Sequence, residues 1–141
     1  MRRTVAAAAA LMAGCLACGG DGPPGLPAGP SPLVEGVVLY EDANFAGASA
    51  HLTSSTTDLK DFEGPCKHEF DDDETVYDWN DCVSSVRVAP GWQVMVFEHP
   101  DYEGDRYMAT TDVGNLQLAP GGCSHDGLND CVSSVRVTQV R

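Results

Sequence analysis

Asn80-Asp81-Cys82-Val83-Ser84-Ser85-Val86-Arg87-Val88 returns unchanged as Asn129-Asp130-Cys131-Val132-Ser133-Ser134-Val135-Arg136-Val137. Nine identical residues in a chain of 141 mark two copies of one structural unit. Each copy opens on side-chain oxygens and runs into an alternating segment. Ser84, Val86 and Val88 fall on one face, Ser85 and Arg87 on the other, which is the period of a strand. The oxygens therefore occupy a loop that feeds a strand.

Both copies have a matching front end. Tyr40-x-x-x-x-Phe45-x-Gly47 is answered by Phe97-x-x-x-x-Tyr102-x-Gly104. From Tyr40 to His68 the copies register at an offset of 57, which matches Leu59 with Leu116, Cys66 with Cys123 and His68 with His125. From Trp79 onward the offset is 49, so the first copy carries eight extra residues between Glu69 and Asp78.

On these residues the chain resembles the βγ-crystallin superfamily. The family pattern is an aromatic hairpin with a glycine two residues after its second aromatic. Two Asn or Asp residues follow, then two others, then Ser or Thr, then Ser. Both halves of the pattern occur twice here, over about residues 36 to 138.

The expected fold is all-β, two Greek keys packed as one sandwich. The first spans about 36–89 and the second about 91–138. Gly36 to Glu41 and Trp92 to Glu98 read as opening strands. Ser49 to Thr53 and Arg106 to Thr110 read as their hairpin partners. Short third strands are expected near Leu59 and Leu116. Val83 to Val88 and Val132 to Thr138 close each unit, giving four strands per unit. Gly47 and Gly104 suit a folded hairpin that needs an unusual backbone angle. Phe45 and Tyr102 are expected to pack on Tyr40 and Phe97. Trp79 and Leu128 are equivalent positions and candidate core anchors.

Four cysteines lie in this region, and four cysteines allow three pairings. The repeat register selects Cys66–Cys82 and Cys123–Cys131, one pair inside each unit. Zinc is the competing reading, because Cys66-Lys67-His68 and Cys123-Ser124-His125 both read Cys-x-His. Zinc sites more often present closer cysteine pairs and a fourth ligand, and no C-x-x-C occurs in the domain.

The oxygen-rich loops suit calcium, which takes six to eight oxygens from carboxylates, amides, hydroxyls, carbonyls and water. The resemblance implies two sites built across the paired loops. Ser84 and Ser133 would each give a hydroxyl. Asp81 and Asp130 would give a backbone carbonyl to one site and a carboxylate to the other. Glu41 and Glu98 would give backbone carbonyls, and Asn80 and Asn129 would ligate or orient. Few full charges face each ion, so a modest affinity is expected. Cysteine at the third loop position and the acidic insertion are atypical of the family. The run Glu69, Asp71-Asp72-Asp73-Glu74 reads as a solvated loop, with a third cation site as its alternative.

Ahead of the domain, Arg2 and Arg3 precede a short apolar run, Val5 to Ala13, the pattern of an export signal. Met12-Ala13-Gly14-Cys15 looks like a bacterial lipobox, with Cys15 lipidated and Cys18 a second candidate. Residues 1–14 are then a lipoprotein signal peptide, 15–34 a Gly/Pro-rich tether, and 35–141 the domain. Leu16, rather than Asp, follows Cys15, which suits delivery to the outer membrane or cell surface; plain secretion is the alternative.

Loss of Arg2 and Arg3 takes the formal charge from −13 to −15. So acidic a chain excludes nucleic acid as a partner, and it excludes membrane contact other than through the lipid. No nucleophile elbow, HExxH, phosphate loop or dinucleotide fingerprint occurs, so an enzyme is not expected. The leading reading is a calcium-binding structural or adhesive module anchored at the bacterial envelope. The alternative is a secreted or surface protease inhibitor of the same fold. It would use the insertion braced by Cys66–Cys82.

Overall fold

The computed structural model describes residues 35–69, 74–123 and 127–140. The export signal, the tether, Cys15, Asp71 to Asp73 and His125 lie outside them. Eight strands lie among the described residues: β1 Val37–Asp42, β2 Ala46–Leu52, β3 Glu63–Glu69, β4 Thr75–Asp78, β5 Ser85–Val88, β6 Trp92–Phe97, β7 Arg106–Ala109 and β8 Ser134–Gln139.

They form two equivalent three-stranded antiparallel sheets, β2-β1-β5 and β7-β6-β8, and a separate β3-β4 hairpin. The opening strand of each copy is central and its closing strand pairs beside it, Val37 with Val88 and Val94 with Val137. Alternation sends Val37, Leu39, Val86, Val94, Val96 and Val135 into the core, each no more than 1% exposed. Trp79 and Leu128 are both buried there, as their equivalent positions implied.

The third segment of each Greek key differs from the expectation. Leu59 and Leu116 are not in strands; they sit in 3-10 turns, Leu59–Asp61 and Leu116–Leu118. Asp58 and Asn115 explain this. Their side chains accept the amides of Lys60 and Gln117 at 2.9 Å, which favours a capped turn over an extended run. Each turn drives its leucine fully into the core.

The residues just before the turns pair across the repeat. Thr56 bridges Val135 of the second sheet, and Val113 bridges Val86 of the first. Each unit therefore lends a segment to the other's sheet, and the two Greek keys close as one body.

The described ends of the insertion, Glu69 and Thr75 to Asp78, lie in a hairpin in which β3 pairs with β4 from Glu69↔Thr75 to Cys66↔Asp78. Among the described residues the second copy has no counterpart strands. Glu69 belongs to β3 and pairs with Lys67 at the surface. Both disulfides join the expected partners, Cys66 to Cys82 and Cys123 to Cys131.

Candidate metal centre

The two aromatic hairpins set the stage. Gly47 and Gly104 have φ of 73° and 76°, and a Cβ on Gly47 would meet the Asp42 carboxylate at 2.8 Å. Tyr40 packs on Phe45 with ring centres 5.8 Å apart, and Phe97 on Tyr102 at 5.5 Å. The second serine of each repeated loop locks the fold-over. Ser85 Oγ accepts the Phe45 amide at 2.9 Å and donates to the Asp42 carbonyl at 2.6 Å. Ser134 does the same for Tyr102 and His99 at 3.0 and 2.6 Å. Arg87 and Arg136 then cover the second aromatics, 4.5 and 4.4 Å from the ring centres of Phe45 and Tyr102.

The loops that follow lie side by side. The Asp81 amide donates to the Val132 carbonyl at 3.0 Å, and the Asp130 amide to the Val83 carbonyl at 3.2 Å. Asp81 and Asp130 both adopt the left-handed conformation, with φ of 50°. That bend carries each carboxylate across to the opposite loop. Ser84 Oγ donates to Asp130 Oδ1 at 3.1 Å, and Ser133 Oγ to Asp81 Oδ1 at 3.5 Å. The serines are buried and the aspartates exposed, so each pair forms a shallow oxygen-lined rim.

The remaining site residues have other engagements. Asn80 and Asn129 each donate Nδ2 to the carboxylate of the following aspartate, at 2.7 and 2.6 Å. Glu41 and Glu98 accept the hairpin amides of Ala48 and Asp105 at 3.0 and 3.2 Å. Their side chains are thus spent on the hairpin. Ser84 and Ser133 donate their amides to the Tyr40 and Phe97 carbonyls, one residue before each glutamate, both at 2.9 Å.

The first loop has a brace that the second lacks. Asp78, buried, accepts the Asn80 amide at 2.9 Å and faces His68 Nε2 at 3.1 Å. His68 Nε2 also lies 3.1 Å from the Asn80 carbonyl. The position equivalent to Asp78 is Gly127, which has no side chain to offer. Partial burial raises the Asp81 carboxyl above its ordinary value, although the residue is exposed overall. The charges of His68 and Lys60 pull it down, as do the hydrogen bonds from Ser133 and Asn80.

Zinc does not fit. The one cluster of His, Cys, Asp and Glu side chains that comes together among the described residues is Glu98, Cys123 and Cys131. Two of these are joined as a disulfide and have no thiolate to give.

A hard dication does fit. The donors are all oxygens, drawn from two loops. The Ser84–Asp130 separation of 3.1 Å suits two neighbouring oxygens on one ion with bonds of about 2.3–2.6 Å. Asn80 Oδ1 is moreover buried without a hydrogen-bond partner, an acceptor with capacity to spare.

Sequence reasoning missed Ser85, Ser134, Arg87, Arg136 and Asp78. For the first four a signal was present: they alternate on the face opposite Val86 and Val135 and are identical in both copies. Asp78 carried none, since its counterpart is glycine.

Comparison with known proteins places these features. The Beta/Gamma crystallin family model matches residues 36–138. Gamma-crystallin S-1 of Chiloscyllium indicum is 30% identical over 101 residues, which is 72% of this chain and 45% of that protein. The chain thus spans under half the length of that relative. A solved structure bearing on the evolution of the eye lens beta-gamma-crystallin domain fold aligns with a TM-score of 0.59 and 26% identity. It covers 78% of this chain and 92% of its own. A betagamma-crystallin domain from Flavobacterium johnsoniae aligns with a TM-score of 0.51 and 25% identity, over 73% of this chain and 93% of its own.

Proposed function

The chain belongs to the Beta/Gamma crystallin family, and on that premise we propose that its paired loops bind two calcium ions. One observation carries the reading: Ser84 of one loop and Asp130 of the other point their oxygens at each other, and Ser133 and Asp81 repeat the arrangement. Ser84 with the Asp130 carboxylate would hold one ion, and Ser133 with the Asp81 carboxylate the other. The backbone carbonyls of Glu41 and Glu98, on the aromatic hairpins, and the side-chain amides of Asn80 and Asn129, within the loops, are the further oxygen donors on this reading. Calcium supplies charge neutralisation between loops that belong to different Greek keys, so it ties the units together rather than doing chemistry.

Thermal melts with EDTA and with millimolar calcium test this. At 100-fold excess over Kd, each site adds about 2.7 kcal/mol, or roughly 10–20 °C in a domain this small. Identical curves in the two buffers, or no loss of the shift in Ser84→Ala/Ser133→Ala, would remove calcium from the account.

The module acts, on this reading, as a structural or adhesive element held at the bacterial envelope by lipid on Cys15, motivated by Met12-Ala13-Gly14-Cys15. Mass spectrometry of the mature N-terminus decides it; an unmodified peptide starting elsewhere makes the protein simply secreted.

One observation favours a second reading, protease inhibition. The β3-β4 hairpin is braced by Cys66–Cys82 and presents Tyr77 at 51% exposure. A rigid exposed hairpin is what an inhibitor needs. A protease panel that finds no inhibition ends this reading and leaves the calcium reading intact.

A further inference from the structure

The disulfide of the second copy has a neighbour that the first lacks. Glu98 Oε1 lies 3.5 Å from Cys123 Sγ, and this carboxylate and both sulfurs fall within 4.8 Å of one another. A disulfide sulfur has no proton to give, so in the oxidised chain the approach is no hydrogen bond. It is nevertheless held in place. Glu98 Oε2 accepts the Asp105 amide at 3.2 Å, which leaves Oε1 toward the sulfur. Asp105 Oδ2 accepts the Gly122 amide at 3.0 Å, so one residue ties the carboxylate to the segment that carries Cys123. The Cys123 amide in turn donates to Cys131 Sγ at 3.0 Å. In the first copy Ala48 stands for Asp105 and Pro65 for Gly122. Alanine has no carboxylate and proline no N–H, so the same tie cannot form there. Among the described residues Glu41, the counterpart of Glu98, joins no such cluster.

We propose that opening Cys123–Cys131 turns this corner into a site for a thiophilic dication of the zinc class, held by Cys123 Sγ, Cys131 Sγ and Glu98 Oε1. The site is separate from the calcium reading, which uses Glu98 only through its backbone carbonyl. A dithiol supplies two electrons and two protons: the S–S bond breaks, two S–H groups form, and the dithiol leaves as its cyclic disulfide. The metal then displaces both protons and takes two thiolates. Zinc sets its sulfurs about 2.3 Å away in a tetrahedron, hence about 3.8 Å from each other. The Cα atoms stand 6.0 Å apart, a spacing from which side-chain rotation reaches that separation. The Cys123 amide is already aimed at Cys131 Sγ and favours its thiolate. Cys131 is buried and Cys123 exposed, so the site opens to solvent at Cys123 and its fourth position falls to water. His99 Nε2, 4.0 Å from Glu98 Oε2, is a neighbour of this set rather than a member. Oxidised, the corner carries a covalent tie and no metal; reduced, the metal replaces the tie.

Cobalt(II) titration of the full mature chain tests this, read by the sulfur-to-cobalt charge-transfer absorption that oxygen ligands do not give. The chain is first reduced without air by a phosphine, which with one water leaves as its oxide. Alkylation and peptide mapping establish that Cys123 and Cys131 are open and Cys66–Cys82 intact. One equivalent of cobalt should then produce the absorption. Zinc chloride should abolish it by displacement, and excess calcium chloride should not. Reoxidation by a disulfide, which leaves as two thiols, should release the metal. The disulfide-bonded chain should give no absorption at any point. Cys123→Ser should abolish the signal in the reduced chain. Glu98→Gln keeps both thiols and an oxygen for the Asp105 amide, so it decides the case if Cys123→Ser does not fold. It should weaken zinc at least tenfold, roughly the least that even outer partners of a metal ligand contribute. No absorption in the reduced wild type, a signal unchanged in Cys123→Ser, or a zinc affinity unmoved by Glu98→Gln overturns the proposal.

Discussion

Ser84 and Asp130 stand 46 residues apart in the chain, yet the serine hydroxyl donates to the aspartate carboxylate at 3.1 Å. The contact joins two Greek keys through the two repeated loops. Residues that share one ion should couple energetically, and residues of separate ions should not. We therefore expect Ser84→Ala and Asp130→Asn to be non-additive in calcium affinity, with a coupling of about 0.5–3 kcal/mol. Ser84→Ala with Asp81→Asn should add. Affinities from a full double-mutant cycle give the answer, and equal coupling in both pairs would contradict ligation across the loops.

Asp81 combines a φ of 50° with a carboxyl whose pKa is raised, first of all by burial. The first fact makes Asp81→Ala a poor probe, because alanine in the left-handed region costs roughly 1–2 kcal/mol while Asn adopts it readily. The second gives a sign. A raised carboxyl pKa contributes stability that is complete below the unfolded value of 3.8 and is lost as pH rises through the folded value. At neutral pH in EDTA the ionised Asp81 is thus a liability. Asp81→Asn should melt at or slightly above wild type there, with the difference vanishing below pH 3.8, and Asp81→Ala should melt below both. In calcium the order should reverse for Asn. A pH series of melts would contradict this if Asp81→Asn were the less stable protein in EDTA at neutral pH.

Ser85 holds the folded hairpin by two hydrogen bonds, from the Phe45 amide and to the Asp42 carbonyl. The side chain is fully buried, so Ser85→Ala leaves two backbone groups without partners. Phe45 also has a φ of 64°, a conformation that needs outside support. We expect a loss of about 2–4 kcal/mol in urea unfolding, from unsatisfied buried groups and a released strained turn. Ser134→Ala should match it, through Tyr102 and His99. Ser84→Ala in EDTA should lose far less, since its hydroxyl meets an exposed carboxylate. Similar losses for Ser84 and Ser85 would show that the two serines do not divide the work this way.

The repeat, the aromatic hairpins and the disulfide pairing were legible because local patterns carry them. An aromatic, a glycine at fixed spacing and a cysteine in register each describe one unit by itself. What lay beyond reading was how the units exchange segments. Periodicity states which face a residue takes but not which sheet receives it, so Thr56 and Val113 gave no sign of bridging the opposite sheet. The insertion hid its strands for a different reason: its acidic composition does not signal that the strand Glu63–Glu69 begins upstream of it and that Thr75–Asp78 closes it. At the candidate site, the ligand types followed from the loop motif. The asymmetry did not, because it arises from Asp78 opposite Gly127, a position where the copies disagree.

The disulfides should matter unequally to calcium. Each ends on the residue after a candidate ligand, Cys82 after Asp81 and Cys131 after Asp130. On the chain-entropy model the loops, with sequence separations of 16 and 8, stabilise by about 3 and 2.5 kcal/mol. Access differs more than energy: Cys123 is exposed, whereas Cys82 is fully buried and Cys66 is half-buried. Thiolate attack needs access to a sulfur. Mild reductant should therefore open Cys123–Cys131 first, followed by peptide mapping of alkylated thiols. With that bond open, the second loop loses its covalent tie, while the first keeps Cys66–Cys82, Asp78 and His68 around Asn80. Partial reduction should weaken calcium binding at both sites, because each draws one side chain from the second loop, Ser133 or Asp130. Calcium present during reduction should in turn protect Cys123 from alkylation. Equal alkylation of Cys66 and Cys123, with or without calcium, would separate the disulfides from metal binding altogether.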